Sequence, residues 1–253
     1  MKKRLLSMFL CLCMLLTMVP AALAAGTTGT AAPATEDEGE TSGKQITAST
    51  TTLTTGNHVL ESDVTLTSGA LKVEANNEVT LNLNGKTLTN QAGANTIEVA
   101  AGGTLTIEGP GTVDNVSHQK AAVNNSGTVV LNGGTYTRSQ EKGTSEEDSG
   151  SNSYYTILNH GTMTINEGVT VNQGENGAGK FSSLIENGWY SGNNNTGGEL
   201  SVMTINGGTF SGGLNTIKND DYGELTIKGG TFSSYAQACL LNWNVATVEG
   251  GTF

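Results

Sequence analysis

The residues best suited to chemistry follow three asparagines. Trp189 and Tyr190 come after Asn187, Asp220, Asp221 and Tyr222 after Asn219, and Trp243 after Asn242. Aromatic faces beside carboxylates and amides suit sugar rings, whose C–H surfaces pack on the aromatic face while their hydroxyls find polar partners. If the three asparagines lie one above another, these six side chains project from one edge of the molecule as a glycan-binding strip. The competing reading is that Trp189 and Trp243 cover a loop or pack against the flank of the fold.

Other candidates carry less. Glu141, Glu146, Glu147 and Asp148 cluster in an insertion from Arg138 to Asn152. Clustered carboxylates offer oxygen ligands of the kind calcium takes, but this spacing matches no calcium loop, and a solvated acidic loop accounts for it. His58, His118 and His160 have no metal-ligand spacing among themselves and read as surface residues. Arg138, the only arginine after the first few residues, is assigned to the loop. No metal, cofactor or catalytic residue is expected.

The elements that would position the strip are repeats. Gly-Gly-Thr-aromatic occurs at Gly133-Gly134-Thr135-Tyr136, Gly207-Gly208-Thr209-Phe210, Gly229-Gly230-Thr231-Phe232 and Gly250-Gly251-Thr252-Phe253. Alternating runs such as Gly103-Thr104-Leu105-Thr106-Ile107 precede these phrases, and their period of two puts Leu105 and Ile107 on one face. A third piece ends in an apolar residue, any residue, then asparagine, as in Ile185-Glu186-Asn187 and Ile217-Lys218-Asn219. Aligning the last apolar residue of each run gives Leu83, Ile107, Leu131, Ile165, Ile205, Ile227 and Val248, at intervals of 24, 24, 34, 40, 22 and 21.

A unit of 21 to 24 residues with two insertions, the second at Gly188 to Glu199, is solenoid spacing. Thr, Val, Asn and Gly dominate it, which excludes helical repeats. The expected fold is all-β, a parallel β-helix of three short strands per turn, in which equivalent residues stack. Val113, Tyr136, Val171, Phe210, Phe232 and Phe253 should form an internal column beside a ladder of threonines. Asn125, Asn159, Asn187, Asn219 and Asn242 should form an amide ladder, a structural role in spite of their active-site look.

The first 24 residues have Lys2, Lys3 and Arg4, an apolar stretch from Leu5 to Val19, and small residues around Ala24, the pattern of a cleaved secretory signal peptide. Residues 25 to 49 are rich in Thr, Gly, Ala and Glu and are expected to be a disordered acidic spacer, with the coil from 50 to 253. Losing the leader's three cations takes the formal charge three units below −11, which argues against a nucleic-acid partner and against a polyanion such as pectate, but not against neutral glycans or cations. No later segment is long and apolar enough to span a membrane. Cys239 remains as a lone, packed thiol. The coil should expose strand edges if it stopped at Phe253, so further turns or domains are expected beyond it.

The stretch Val79-Thr80-Leu81-Asn82-Leu83-Asn84-Gly85-Lys86-Thr87-Leu88, with the Thr-Leu-Thr-Ile and Gly-Gly-Thr-Phe units, resembles the secreted right-handed β-helix proteins of Gram-positive bacteria with the pectin-lyase-like fold. The likeness covers Thr51 to Phe253. It implies a right-handed coil, in keeping with the handedness of parallel crossovers, and leaves activity open, because lyases, hydrolases, adhesins and passive stalks share the architecture. Asp220-Asp221 and Asn159-His160-Gly161 are weakly similar to motifs of glycoside hydrolases of this fold, in reversed chain order. The expected function is an extracellular, non-catalytic, adhesin-like module that binds glycan or cell-wall polysaccharide through Trp189, Tyr190, Asp220, Asp221, Tyr222 and Trp243. The alternatives are a polysaccharide lyase or glycoside hydrolase whose catalytic part lies outside this chain, and a rigid stalk.

Overall fold

In a parallel stack every strand hydrogen-bonds the equivalent strand of the turns above and below, so short apolar-alternating segments suffice to build a long sheet. The computed structural model describes residues 43–117, 119–139, 154–173, 182–189 and 198–253. Thr41–Phe253 form one compact unit. Among the described residues there are three parallel sheets. Sheet A has nine strands from Lys44–Gln45 to Val245–Val248, sheet B eight from Thr52–Leu53 to Ala238–Asn242, and sheet C seven from Val64–Leu66 to Thr231–Ser233. The chain visits B, A and C in turn and winds as a right-handed parallel β-helix. No helix of the described residues is long and apolar enough to cross a membrane.

The internal columns are those expected. Val113 pairs with Tyr136, Tyr136 with Val171, Val171 with Phe210 and Phe210 with Phe232. The Phe210 and Phe232 rings stack at 4.7 Å, and Phe232 and Phe253 at 4.8 Å. Thr112, Thr135, Thr170, Thr209, Thr231 and Thr252 run alongside in register. The two glycines of each phrase do different jobs. A Cβ on Gly229 would stand 2.9 Å from the Asn206 carbonyl oxygen of the turn below, whereas Gly230 has φ +112°, which only glycine adopts freely.

The asparagine ladder is continuous. Asn125, Asn159, Asn187 and Asn219 each donate from Nδ2 to Oδ1 of the next asparagine at 2.7 Å, ending on Asn242. Each also fastens the bend beyond it: Gly127 N–H donates to Asn125 Oδ1 at 2.9 Å. A second, shorter ladder at the A-to-C corner joins Asn206, Asn166 and Asn132, again at 2.7 Å. It was not foreseen.

Several expectations need correction. Leu81, not Leu83, pairs with Ile107, so that turn has 26 residues and the turn lengths are not confined to 21–24. The 40-residue turn contains two long connections, because 173–184 joins sheet C to sheet B where 212–214 suffices one turn later. The insertions therefore number three. Sheet A begins at Lys44–Gln45, inside the stretch assigned to the spacer. His58 is buried, with Nε2 2.7 Å from the Thr54 carbonyl oxygen, because it occupies the inward position that Leu81 fills in the next turn. Arg138 is also buried, donating to the Lys120 and Tyr154 carbonyls at 2.7 Å. It is an anchor at the end of a strand, not a loop residue. The leader, His118 and the acidic run Glu141 to Asp148 lie outside the described residues.

Candidate functional site

The bend between sheets B and A repeats one backbone pattern. The N–H groups of Ala100, Ser126, His160, Gly188, Asp220 and Trp243 donate to Val73, Val99, Asn125, Asn159, Asn187 and Asn219 respectively, at 2.7 to 3.0 Å. Those six residues therefore form one column along the coil, each just beyond the inward position that the asparagine ladder occupies. The segments carrying Trp189, Asp220, Asp221, Tyr222 and Trp243 do share one edge on successive turns. Tyr190 lies outside the described residues.

The side chains on that edge differ in what they can touch. Trp189 is half-buried. Its ring stacks on His160 at 3.8 Å with 9° between planes, and Nε1 donates to the Glu199 carbonyl at 2.9 Å. Its own N–H donates to the Asp221 carbonyl at 2.8 Å. Gly198 fits between Trp189 and Tyr222: a Cβ there would come within 2.7 Å of Trp189 Cδ1 and 2.8 Å of Tyr222 Cδ2. Trp189 and Tyr222 thus flank Gly198, and Tyr222 has φ +61°. The open aromatic surfaces are Tyr222, 37% exposed, and Trp243, 66% exposed. His160 is half-buried as the lower face of this stack, and burial holds its imidazole below the ordinary range, in the neutral form at neutral pH. It is not the free surface residue expected.

Asp220 is not an open ligand. It is 4% exposed and its Oδ2 is held by Lys218 Nζ. Beside it lies Glu186, 3% exposed, with Oε1 3.9 Å from Lys218 Nζ. Burial pushes the Glu186 carboxyl up to about 8, Lys218 opposes this, and a hydrogen bond with Asp220 reinforces it. Tyr155 completes the cluster through a hydrogen bond to Glu186. Burial, then the Glu186 charge, push its phenol upward. Burial and the Asp220 contact thus favour the protonated form of Glu186, and Lys218 opposes them. Two covered carboxylates in contact are too close to stand on either side of a glycosidic bond.

This cluster was missed in the sequence although a signal exists. Glu186 and Lys218 occupy the middle position of consecutive apolar-any-asparagine phrases, so the register that aligns Asn187 with Asn219 pairs opposite charges. Cys239 packs against the core, its Sγ 3.4 Å from the Phe232 carbonyl oxygen. Among the described residues, no three His, Cys, Asp or Glu side chains come together as a metal cluster. No protein-family model, curated protein or solved structure matches this chain.

Proposed function

We propose that this chain is an extracellular, non-catalytic β-helix module that binds glycan at the edge between sheets B and A. The observation that carries the reading is the exposed Trp243 indole on the same edge as Tyr222 and Trp189. A sugar ring packs on these faces, and the Asp221 carboxylate accepts from its hydroxyls. Asp220 contributes indirectly, fixing the bend through Lys218 and through its Oδ1, which accepts from Asp221 N–H at 3.1 Å. The leader-like first 24 residues support export, and the likeness to secreted pectin-lyase-like coils agrees with a surface role. The closed Glu186–Asp220 contact favours binding over hydrolysis.

A glycan array tests this with the wild type and a Trp243→Ala, Tyr222→Ala double variant. Trp243 is 66% exposed and Tyr222 37%, so the variant should stay folded and lose glycan binding at least tenfold. Unchanged binding would discard this site, and an array without any bound glycan would favour a passive stalk.

A further inference from the structure

We propose that the buried Glu186–Asp220–Lys218 cluster is a proton-operated latch on the turn that presents Asp221 and Tyr222, closed while Glu186 holds its proton and released when the proton leaves. The inference rests on the glycan reading above for what the turn presents, and adds the regulation of that edge by pH.

The latch is built by register. Glu186 and Lys218 are paired on the neighbouring sheet B strands Ile185–Asn187 and Asn215–Asn219, and Asp220 follows at the bend. Asp220 uses both carboxylate oxygens: Oδ2 is held by Lys218 Nζ, and Oδ1 accepts from Asp221 N–H at 3.1 Å. Its main chain is tied on both sides as well. The Asp220 N–H donates to the Asn187 carbonyl at 2.8 Å, and its carbonyl accepts from Gly223 N–H at 3.0 Å. The Asp221 carbonyl in turn accepts from Trp189 N–H at 2.8 Å, in an isolated antiparallel bridge. A Cβ on Gly188 would stand 2.6 Å from that same carbonyl oxygen, so the two bends are packed backbone to backbone. One carboxylate therefore joins the covered cluster to the backbone that carries Asp221, Tyr222 and Trp189.

The proton decides how that carboxylate is shared. Among the described residues, Glu186 faces Lys218 and Asp220 from the turn above and Tyr155 and Tyr154 from the segment before Ile157–Asn159, with Arg138 over the Tyr154 ring at 5.9 Å. On its other side the column continues as Leu158, buried and apolar. Burial pushes the Glu186 carboxyl up to about 8, Lys218 opposes this, and Asp220 adds to it. With its proton, Glu186 donates to Asp220, and one ammonium matches one carboxylate. Without it, two covered carboxylates in contact share one ammonium and repel. Asp220 is the partner that gives way, because it sits at a bend while Glu186 is fixed inside a strand. As its carboxylate turns aside, Asp221 N–H loses its acceptor and the turn loosens. The folded value lies above the unfolded one, so the latch is closed at lower pH and opens as pH rises through about 8. Burial pushes the Tyr154 and Tyr155 phenols up and the His160 imidazole down, away from that point.

Trp189 reads the latch without any ligand, since Trp243→Phe leaves it the only tryptophan. In that background, acrylamide quenching of its fluorescence should rise about twofold between pH 6.5 and 9.5 with a midpoint near 8, while the far-ultraviolet circular dichroism stays constant, as local opening requires. Glu186→Gln, which keeps a donor toward Asp220 and has no proton to lose, should abolish the transition. Asp220→Asn removes a charge that holds the proton on Glu186 and should move the midpoint to lower pH, a test that stands even where the glutamine variant does not fold. On the glycan array, the wild type should lose its ligands between pH 6.5 and 9.5 and Glu186→Gln should keep them. Quenching that is flat with pH in the Trp243→Phe chain, or a transition that neither substitution moves, overturns the latch and leaves the glycan reading standing. A transition that takes the dichroism signal with it is global unfolding and overturns the latch too. An array empty at both pH values sinks the glycan reading, and the quenching still decides the latch.

Discussion

Glu186 shows how one residue position departs from its local pattern. Alternation along Ile185-Glu186-Asn187 points it outward, yet it is 3% exposed and its carboxyl is pushed up to about 8. The groups facing it are Lys218, Asp220 and Tyr155, with Tyr154 also within electrostatic reach. An unfolded glutamate ionises near pH 4.3, so the native state holds a proton that the unfolded state releases between there and about 8. Stability from this group is therefore fully present below about pH 4.3 and is lost progressively as pH rises toward 8. The thermal midpoint of the wild type should fall between pH 5 and 8 by several degrees more than that of Glu186→Gln, which keeps the shape without a titrating proton. Parallel pH profiles of the two proteins in calorimetric melts would refute the protonated assignment.

At the scale of the element, the asparagine ladder sets the bend between sheets B and A. Asn187 accepts from Asn159, donates to Asn219, and also donates to the Glu224 carbonyl at 3.2 Å. Replacing it by alanine strips partners from buried amides on both sides, at a cost of about 2–3 kcal/mol. Asn242 ends the ladder in solvent, so Asn242→Ala should cost at most about 1 kcal/mol. Urea midpoints of the two variants check the ordering. The threonine ladder and the Asn125-to-Asn242 ladder were legible in the sequence because Gly-Gly-Thr-aromatic and apolar-any-asparagine repeat almost unchanged, and stacking puts like on like. Leu83 was misaligned because Val79–Leu83 alternates through several positions, and a period of two cannot tell Leu81 from Leu83. The third insertion was hidden because the 40-residue interval sums two connections. The site was legible only at its exposed end. Asp220 looked free because nothing local reveals that the outer face of sheet B is covered there.

At the scale of the whole coil, each turn touches only its neighbours, so stability is close to a sum of turn and interface contributions. The ends differ. Ile46 is buried over the first turns, whereas the last described turn leaves Val248 49% and Phe253 52% exposed. Leu131, Ile165 and Ile205, in the middle, are fully buried. A turn with a neighbour on each side is held by two interfaces, so local unfolding should spare the central strands Thr128–Leu131 and Thr162–Ile165 longest. Hydrogen exchange read by mass spectrometry should show the strongest protection over the central strands Thr104–Glu108, Thr128–Leu131, Thr162–Ile165 and Ser201–Ile205. Phe210→Ala removes a ring from the internal stack and should cost about 3–5 kcal/mol. In a one-dimensional array that loss weakens the interfaces on either side of Phe210, so exchange should speed up over the neighbouring strands Val169–Asn172, Thr209–Ser211 and Thr231–Ser233 and remain unchanged over 58–107. Uniform loss of protection along the chain would mean that the turns unfold as one cooperative block, and the nearest-neighbour account would have to be given up.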